Sequence, residues 1–158
     1  KDEAKDILEL YNDEVPFVKQ IATIASQRAA TEGQIRTILG RRCRFHLWEP
    51  RTFGYNKAMP LAEAEKEYGG LGMLRRAFTY KALNKLIQGS AADQTKKAMV
   101  DCYAENFTPM LTVHDELCFS VQNEEQAKRI TEIMETGLPL NVPTRVDCEM
   151  GDNWGEAG

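Results

Sequence analysis

Leu111-Thr112-Val113-His114-Asp115-Glu116-Leu117-Cys118-Phe119-Ser120-Val121 is the stretch from which the rest of this chain is read. Leu111 and Val113 alternate with Thr112; Leu117, Phe119 and Val121 alternate with Cys118 and Ser120. A period of two on each side of a polar triplet predicts two strands joined at or near His-Asp-Glu. A carboxylate on such a turn is held by the sheet yet open to solvent, where a metal ion can meet a large anionic substrate. Asp is also an ordinary turn residue, because its side chain bonds nearby backbone amides. The triplet alone therefore leaves a plain turn standing beside a site, and the Asn-Gly or Asp-Gly pair of the best hairpins is missing.

The upstream sequence tips the balance. Tyr80 to Met99 has no proline, and Leu83, Leu86, Ile87, Ala91, Ala98 and Met99 give a partly helical spacing. Asn84 and Gln88 lie four apart on one face, with Lys81 on the same side. These groups can reach sugars, phosphates or base edges. Gly89-Ser90-Ala91-Ala92 has almost no side-chain bulk, so something packs very close there, since Gly inside a helix costs about 1 kcal/mol against Ala. A solvated helix face with a small-residue contact is the plainer account of this stretch taken alone.

Asn-(three residues)-Gln-Gly-Ser-Ala-Ala-Asp, a helix, then Val-His-Asp-Glu-Leu on a hairpin resembles the C-terminal part of family A DNA polymerases, the bacterial DNA polymerase I group. The likeness runs over nearly the whole chain. Glu32 to Arg42 looks like the family's Gly-(two residues)-(acid or base)-Thr-(two residues)-Gly-Arg-Arg segment, Tyr11 to Val18 resembles its Tyr-Pro-Gly-Val helix junction with the order altered, and Asp147 to Trp154 looks like its terminal strand and Gly-(polar)-Asn-Trp ending. The first aspartate of the family's chemistry and its Arg-(three)-Lys-(six or so)-Tyr-Gly fingers helix do not occur in these residues. The expectation is a piece corresponding to roughly the last quarter of a polymerase, from a truncated chain or one part of a split enzyme.

The resemblance implies an α+β fold: an antiparallel palm-type sheet bearing the His-Asp-Glu hairpin, packed by long helices, with an N-terminal helical remnant of the fingers and a basic hairpin. It implies template-dependent nucleotidyl transfer with two Mg²⁺ ions, about 3.5–4 Å apart, as cofactors. Asp115 would be one of two essential carboxylates and metal ligands. Glu116 would assist it through the metal or at the primer end, and His114 would touch the primer strand. Gln88 and Asn84 would lie along the minor groove, where purine N3 and pyrimidine O2 acceptors sit in nearly the same place for every base pair. One helical turn before the asparagine the family usually has arginine; here stands Tyr80, followed by Lys81, which supplies charge without a planar fork. The implied partners are primer-template DNA, a deoxynucleoside triphosphate, and an upstream segment carrying the other aspartate and the fingers helix. The chain alone is expected to be inactive.

Composition agrees with that picture. The 158 residues suit one domain with a modest core. An apolar fraction of 42% and a charged fraction of 28% lie slightly below and slightly above the usual globular values, which suits a piece whose core a partner completes. An exposed core edge would favour self-association. No run approaches the length of a membrane span, and Lys-Asp-Glu-Ala-Lys at the start is no signal peptide, so a bacterial or phage-infected cytoplasm is expected. Cys43, Cys102, Cys118 and Cys148 form no Cys-x-x-Cys pair, which argues for reduced thiols over a zinc site. The net charge of −4 is unevenly spread. Residues 36–97 hold 13 Lys/Arg against 5 Asp/Glu, a balance of +8, and residues 101–158 hold 3 against 12, a balance of −9. A duplex would meet the first region, with counterion release supplying sequence-independent affinity.

Along the chain, residues 2–31 read as helix broken near Pro16 and ended at Gly33. Residues 34–39 and 42–47 read as strands around Gly40-Arg41. Arg36, Arg41, Arg42 and Arg44, with Arg51 close by, make a basic patch expected to meet the DNA backbone. Residues 49–70 read as loop with a turn or two of helix from Leu61 to Tyr68. A long helix is expected from Gly72 to Asn106, beginning with Arg75 and Arg76 in reach of phosphate. After the hairpin come an amphipathic helix, Glu124 to Thr136, capped by Asn123, and a last strand, Thr144 to Glu149. The segments 1–33, 34–70 and 71–158 are expected to make one compact unit. Two other readings compete: a non-catalytic DNA-binding module derived from a polymerase, and an unrelated metallohydrolase using His114, Asp115, Glu116 and His46.

Overall fold

Proline cannot donate a backbone hydrogen bond but has the right φ for a first helical residue. In the computed structural model, which describes residues 2–52, 54 and 57–157, Pro16 separates α1 (Asp2–Glu14) from α2 (Pro16–Glu32). Gly33 ends α2 in the left-handed conformation at φ 70°, its amide bonding the Ala29 carbonyl, a C-terminal device that suits a residue without a β-carbon.

Among the described residues, three small antiparallel sheets follow. Strands β1 (Gln34–Arg36) and β2 (Arg42–Arg44) pair with Arg36 opposite Arg42. In the second, β3 (Leu47–Pro50) is central, between β4 (Met59–Pro60) and β5 (Leu74–Arg76). Helix α3 (Leu61–Tyr68) covers this sheet and buries Ala64. Positions 53, 55 and 56 of the intervening loop lie outside the described residues. Helix α4 (Ala82–Ala104) leads to the third sheet, the hairpin of β6 (Pro109–Val113) and β7 (Glu116–Phe119), and α5 (Glu124–Thr136) comes last. The chain is thus a mixed α+β fold with helices beside small antiparallel sheets.

The described chain divides into two compact units, residues 1–90 and 91–158, where the sequence led us to expect one. Each has its own small core, and the division falls inside α4. In the first, Ala25, Ala29, Ile35, Phe45 and Ala82 are buried together, with Cys43, Leu83 and Leu86 packed on them. In the second, Cys102, Ile130 and Ile133 are the centre, flanked by Phe107, Phe119, Val121 and Met134. Ala127, Ile130 and Ile133 recur at helical spacing, which is why one face of α5 turns inward.

Several expected elements differ. The strands expected over 34–39 and 42–47 stop at Arg36 and Arg44, and Leu47–Pro50 and Met59–Pro60 pair as strands within the region read largely as loop. The long helix starts at Ala82 rather than Gly72. Residues 71–73 and 79–81 are single 3₁₀ turns, and Leu74–Arg76 is strand because it pairs with β3, Trp48 opposite Arg76 and Pro50 opposite Leu74. Arg75 and Arg76 therefore begin no helix. Tertiary pairing overrides the local helical propensity of this stretch. The final strand over 144–149 forms no ladder among the described residues. Its backbone and side chains are tied instead by side-chain bonds. Val146 N donates to Glu135 Oε1 at 3.0 Å, and Gln94 Nε2 donates to Thr144 Oγ1 at 3.2 Å. An extended segment becomes a strand only when a neighbour offers it unpaired amides and carbonyls.

Candidate functional site: an acidic turn and a basic, amide-bearing face

In the second unit, β6 and β7 are joined by only two residues, His114 and Asp115, with Val113 paired to Glu116 at the mouth of the turn. His114 carries a positive φ of 55°. Such a tight hairpin needs a left-handed residue, and histidine accepts one more readily than a β-branched side chain. Residues opposite each other in a ladder share a face. Leu111, Val113, Glu116 and Cys118 thus form one face, and Thr112 and Leu117 the other. Phe119 packs on the helical core, which puts Leu117 on the core side and Glu116 on the outer side. His114, Asp115 and Glu116 are all exposed.

Two adjacent, solvent-facing carboxylates supply hard oxygen donors, the type Mg²⁺ prefers, and Mg²⁺ keeps several waters when few protein ligands are present. The donor set therefore fits part of a magnesium site. It does not close one. Among the described residues no group of three or more His, Cys, Asp or Glu side chains could hold a metal ion. The hydrolase grouping of His114, Asp115 and Glu116 with His46 accordingly has no ligand cluster behind it.

The first unit presents the basic and amide groups. Arg36 and Arg42 face each other across the β1–β2 ladder, and Arg44 lies opposite Gln34. By strand parity these arginines share the outer face while Ile35 and Cys43 turn inward to the core. On the 3₁₀ turn and α4, Lys81, Asn84 and Gln88 are all exposed. Tyr80, 72% exposed, precedes Asn84 by four residues and so extends the same stripe. Lys81 Nζ sits 5.1 Å from the Phe78 ring centroid and 5.6 Å from that of Tyr80, a cation–π contact with each.

Four of the arginines read from the sequence as DNA contacts have partners inside the protein. Arg36 Nη1 donates to the Gly40 carbonyl at 3.1 Å. Arg41 Nη2 donates to the Gly89 carbonyl at 2.7 Å. Arg75 Nε pairs with Glu49 Oε1 at 2.8 Å across the β3–β5 ladder. Arg76 is half-buried. Its Nη1 donates to the Phe45 carbonyl at 2.8 Å and its guanidinium stacks 4.5 Å from the Trp48 ring. Gly33 is needed for its positive φ, and a β-carbon there would also come within 2.6 Å of Arg76 Cζ, so the guanidinium would have to shift. Ser90, unremarked in the sequence as a site residue, accepts from the Ile38 amide at 3.1 Å. Only its place in a run of small residues signalled a close contact.

Residues 1–156 match the family described as DNA polymerase family A. Similar proteins include a DNA-directed DNA polymerase of Pseudomonas phage M6, 37% identical over 155 residues, which cover 98% of this chain and 20% of that protein. DNA polymerase I of Bacillus caldotenax is 32% identical over 165 residues, 98% of this chain and 16% of that protein. Among solved structures, the POL domain of Pol1 from M. smegmatis, in complex with DNA primer-template and dNTP, has a TM-score of 0.72 and 30% identity, covering 99% of this chain and 26% of that one. This chain spans about a fifth of the length of the relatives it matches. With the family matched over nearly all of its residues, the chain belongs to DNA polymerase family A.

Proposed function

We propose that this chain is the part of a template-directed DNA polymerase that supplies one carboxylate turn of the metal site and a duplex-binding face. The observation that carries the proposal is the exposed pair of Asp115, on a two-residue hairpin turn, and Glu116, first in the strand that leaves it, in a family A chain. Asp115, assisted by Glu116, would hold Mg²⁺ through carboxylate oxygens. Two such ions, when bound, stabilise charge on the attacking and leaving oxygens of an in-line displacement at phosphorus. His114, next to them on the turn, would contact the primer strand. Asn84 and Gln88 would donate from their side-chain amides to minor-groove acceptors, testing pair shape without reading sequence. Arg42, with Arg36 and Arg44 beside it, would neutralise phosphates. Arg75, itself exposed though paired with the largely covered Glu49, would add to that field; Lys81 would supply charge beside the amides.

One carboxylate turn does not hold two metal ions against phosphoryl oxygens, so the second essential carboxylate is expected from the upstream segment that bears the other aspartate. The same reasoning makes the isolated chain inactive and gives the non-catalytic DNA-binding module its standing as a second reading. Primer extension separates the two. The chain alone is expected to extend nothing. Supplied with a segment bearing a second aspartate and a fingers helix, it is expected to extend, and Asp115→Ala should then lower the rate by about a thousandfold or more, equivalent to about 4 kcal/mol of transition-state stabilisation. Reconstituted activity indifferent to Asp115→Ala would leave only the binding module. Extension by the chain alone would overturn the incomplete metal site.

A further inference from the structure

The loop joining β1 to β2 does more than close a hairpin. Residues 37–41 reach the first half of α4 and hold it at several points. Arg41 Nη2 donates to the Gly89 carbonyl at 2.7 Å. The Ile38 amide donates to Ser90 Oγ at 3.1 Å, and the same hydroxyl donates to the Leu86 carbonyl at 2.7 Å. Thr37 Cγ2 stands 2.7 Å from where a β-carbon on Gly89 would be. A helical carbonyl has a second lone pair to offer after its i+4 amide, and a bond from a guanidinium is stronger than one between neutral groups.

The loop is itself braced. Thr37 N donates to the Arg41 carbonyl at 3.0 Å, and Gly40 N to the Thr37 carbonyl at 2.8 Å. Arg41 N donates to Thr37 Oγ1 at 3.0 Å, and Arg36 Nη1 to the Gly40 carbonyl at 3.1 Å. Thr37 is buried. A stiff loop bonded to a helix fixes both the height and the rotation of that helix. Gln88 directly precedes Gly89, and Asn84 lies one turn earlier. The latch therefore sets where the two amides stand relative to Arg36, Arg42 and Arg44 on the outer face of the hairpin.

We infer that Arg41 and Ser90 are positioning residues, which hold the Asn84–Gln88 stripe in register with the arginine face, and that Arg41 itself neutralises no phosphate. The inference rests on the duplex-binding reading above. It assigns adjacent arginines different work. Arg42 meets the nucleic acid and Arg41 meets the helix that meets it.

Duplex binding by the 158-residue chain, measured across salt concentrations, tests this. Arg42→Gln should lower the slope of log Kd against log salt by about 0.9, one phosphate. Arg41→Gln and Ser90→Ala should leave the slope as in the wild type while weakening binding about 3–10-fold, the worth of one or two hydrogen bonds. A second duplex, with carbon replacing the purine N3 atoms, supplies the readout that general destabilisation would not move. Wild type and Arg42→Gln should lose affinity on it, whereas Arg41→Gln and Ser90→Ala, their amides already out of register, should lose less than about 2-fold. Ser90→Thr, which keeps the hydroxyl, should behave as wild type. A drop in salt slope for Arg41→Gln, or a full penalty retained by Ser90→Ala on the altered duplex, would overturn the latch while leaving duplex binding intact. A wild type that binds no duplex, or is indifferent to N3, would overturn the duplex reading and the latch with it.

Discussion

Gly89 is a position where a single added carbon has a measurable consequence. Its β-carbon would stand 2.7 Å from Thr37 Cγ2, and Thr37 cannot swing aside cheaply because its hydroxyl accepts from the Arg41 amide. Ala normally favours a helix over Gly by about 1 kcal/mol. Here the overlap should win, and Gly89→Ala is expected to destabilise the first unit by about 1–3 kcal/mol. Thermal denaturation showing an unchanged or raised midpoint would mean that the hairpin does not press on the helix. The close packing itself was readable, since a run of small residues implies a near neighbour. That the neighbour is a hairpin loop and not a second helix was not readable, because the contact joins residues about fifty positions apart. Arg41 and Arg42 make the same point. Nothing in two identical side chains distinguishes them; one sits in the loop against α4 and the other on the outward face of β2.

At the scale of elements, α5 follows local rules most closely. Asn123 caps it, its side chain accepting from the Gln126 amide at 3.0 Å, while Gln126 Oε1 accepts from the Gln122 amide at 2.9 Å. Asn123→Ala should cost about 1 kcal/mol, seen as a lower denaturation midpoint; Asn123→Ser, which keeps an acceptor, should cost less. Arg129 of α5 holds Glu105, just past α4, through a two-pronged contact, Nε to Oε2 at 2.8 Å and Nη2 to Oε1 at 2.7 Å. The hydrogen bond from Arg129 keeps the Glu105 carboxyl below the usual glutamate range. A carboxyl lowered in the folded state contributes stability above its unfolded value of about 4.3, and that contribution fades as the pH falls through the lower folded value. An NMR titration should show the Glu105 midpoint rise in Arg129→Gln; a midpoint that stays put would remove the pair as its cause. By contrast, α4 starts at Ala82, ten residues beyond the Gly72 that sequence pattern points to. Leu74-Arg75-Arg76 is built of helix-favouring residues, yet β3 claims it as a strand partner.

For the molecule as a whole, the outstanding feature is how much apolar side chain stays in water. Ile7, Leu8, Leu10 and Tyr11 on α1 and Phe17, Ile21 and Ile24 on α2 are all exposed, Ile7 at 61% and Leu10 at 62%. Patches of this kind mark surfaces that another protein surface covers. The chain at micromolar concentration is expected to bind an apolar dye and to associate with itself in sedimentation, and Ile7→Lys with Leu10→Lys should reduce both. A monodisperse monomer silent to the dye would show that these residues need no cover. Periodicity placed Ile7, Leu8 and Tyr11 on one apolar face but could not say whether anything lies on it.

Local chemistry in the sequence determined the hairpin that displays Asp115, the break at Pro16 with the stop at Gly33, the capped α5 and the shared face of Asn84 and Gln88. Each is set by alternation, by a residue's own φ, or by neighbours within four positions. Only the tertiary structure decided that Leu74–Arg76 is a strand, that residues 144–149 join no strand ladder among the described residues, that the chain divides within α4, and that Arg41 and Arg76 are bonded inside the protein. Those outcomes depend on which distant backbone amide, carbonyl or ring arrives beside a residue, and short-range pattern carries no information about that arrival.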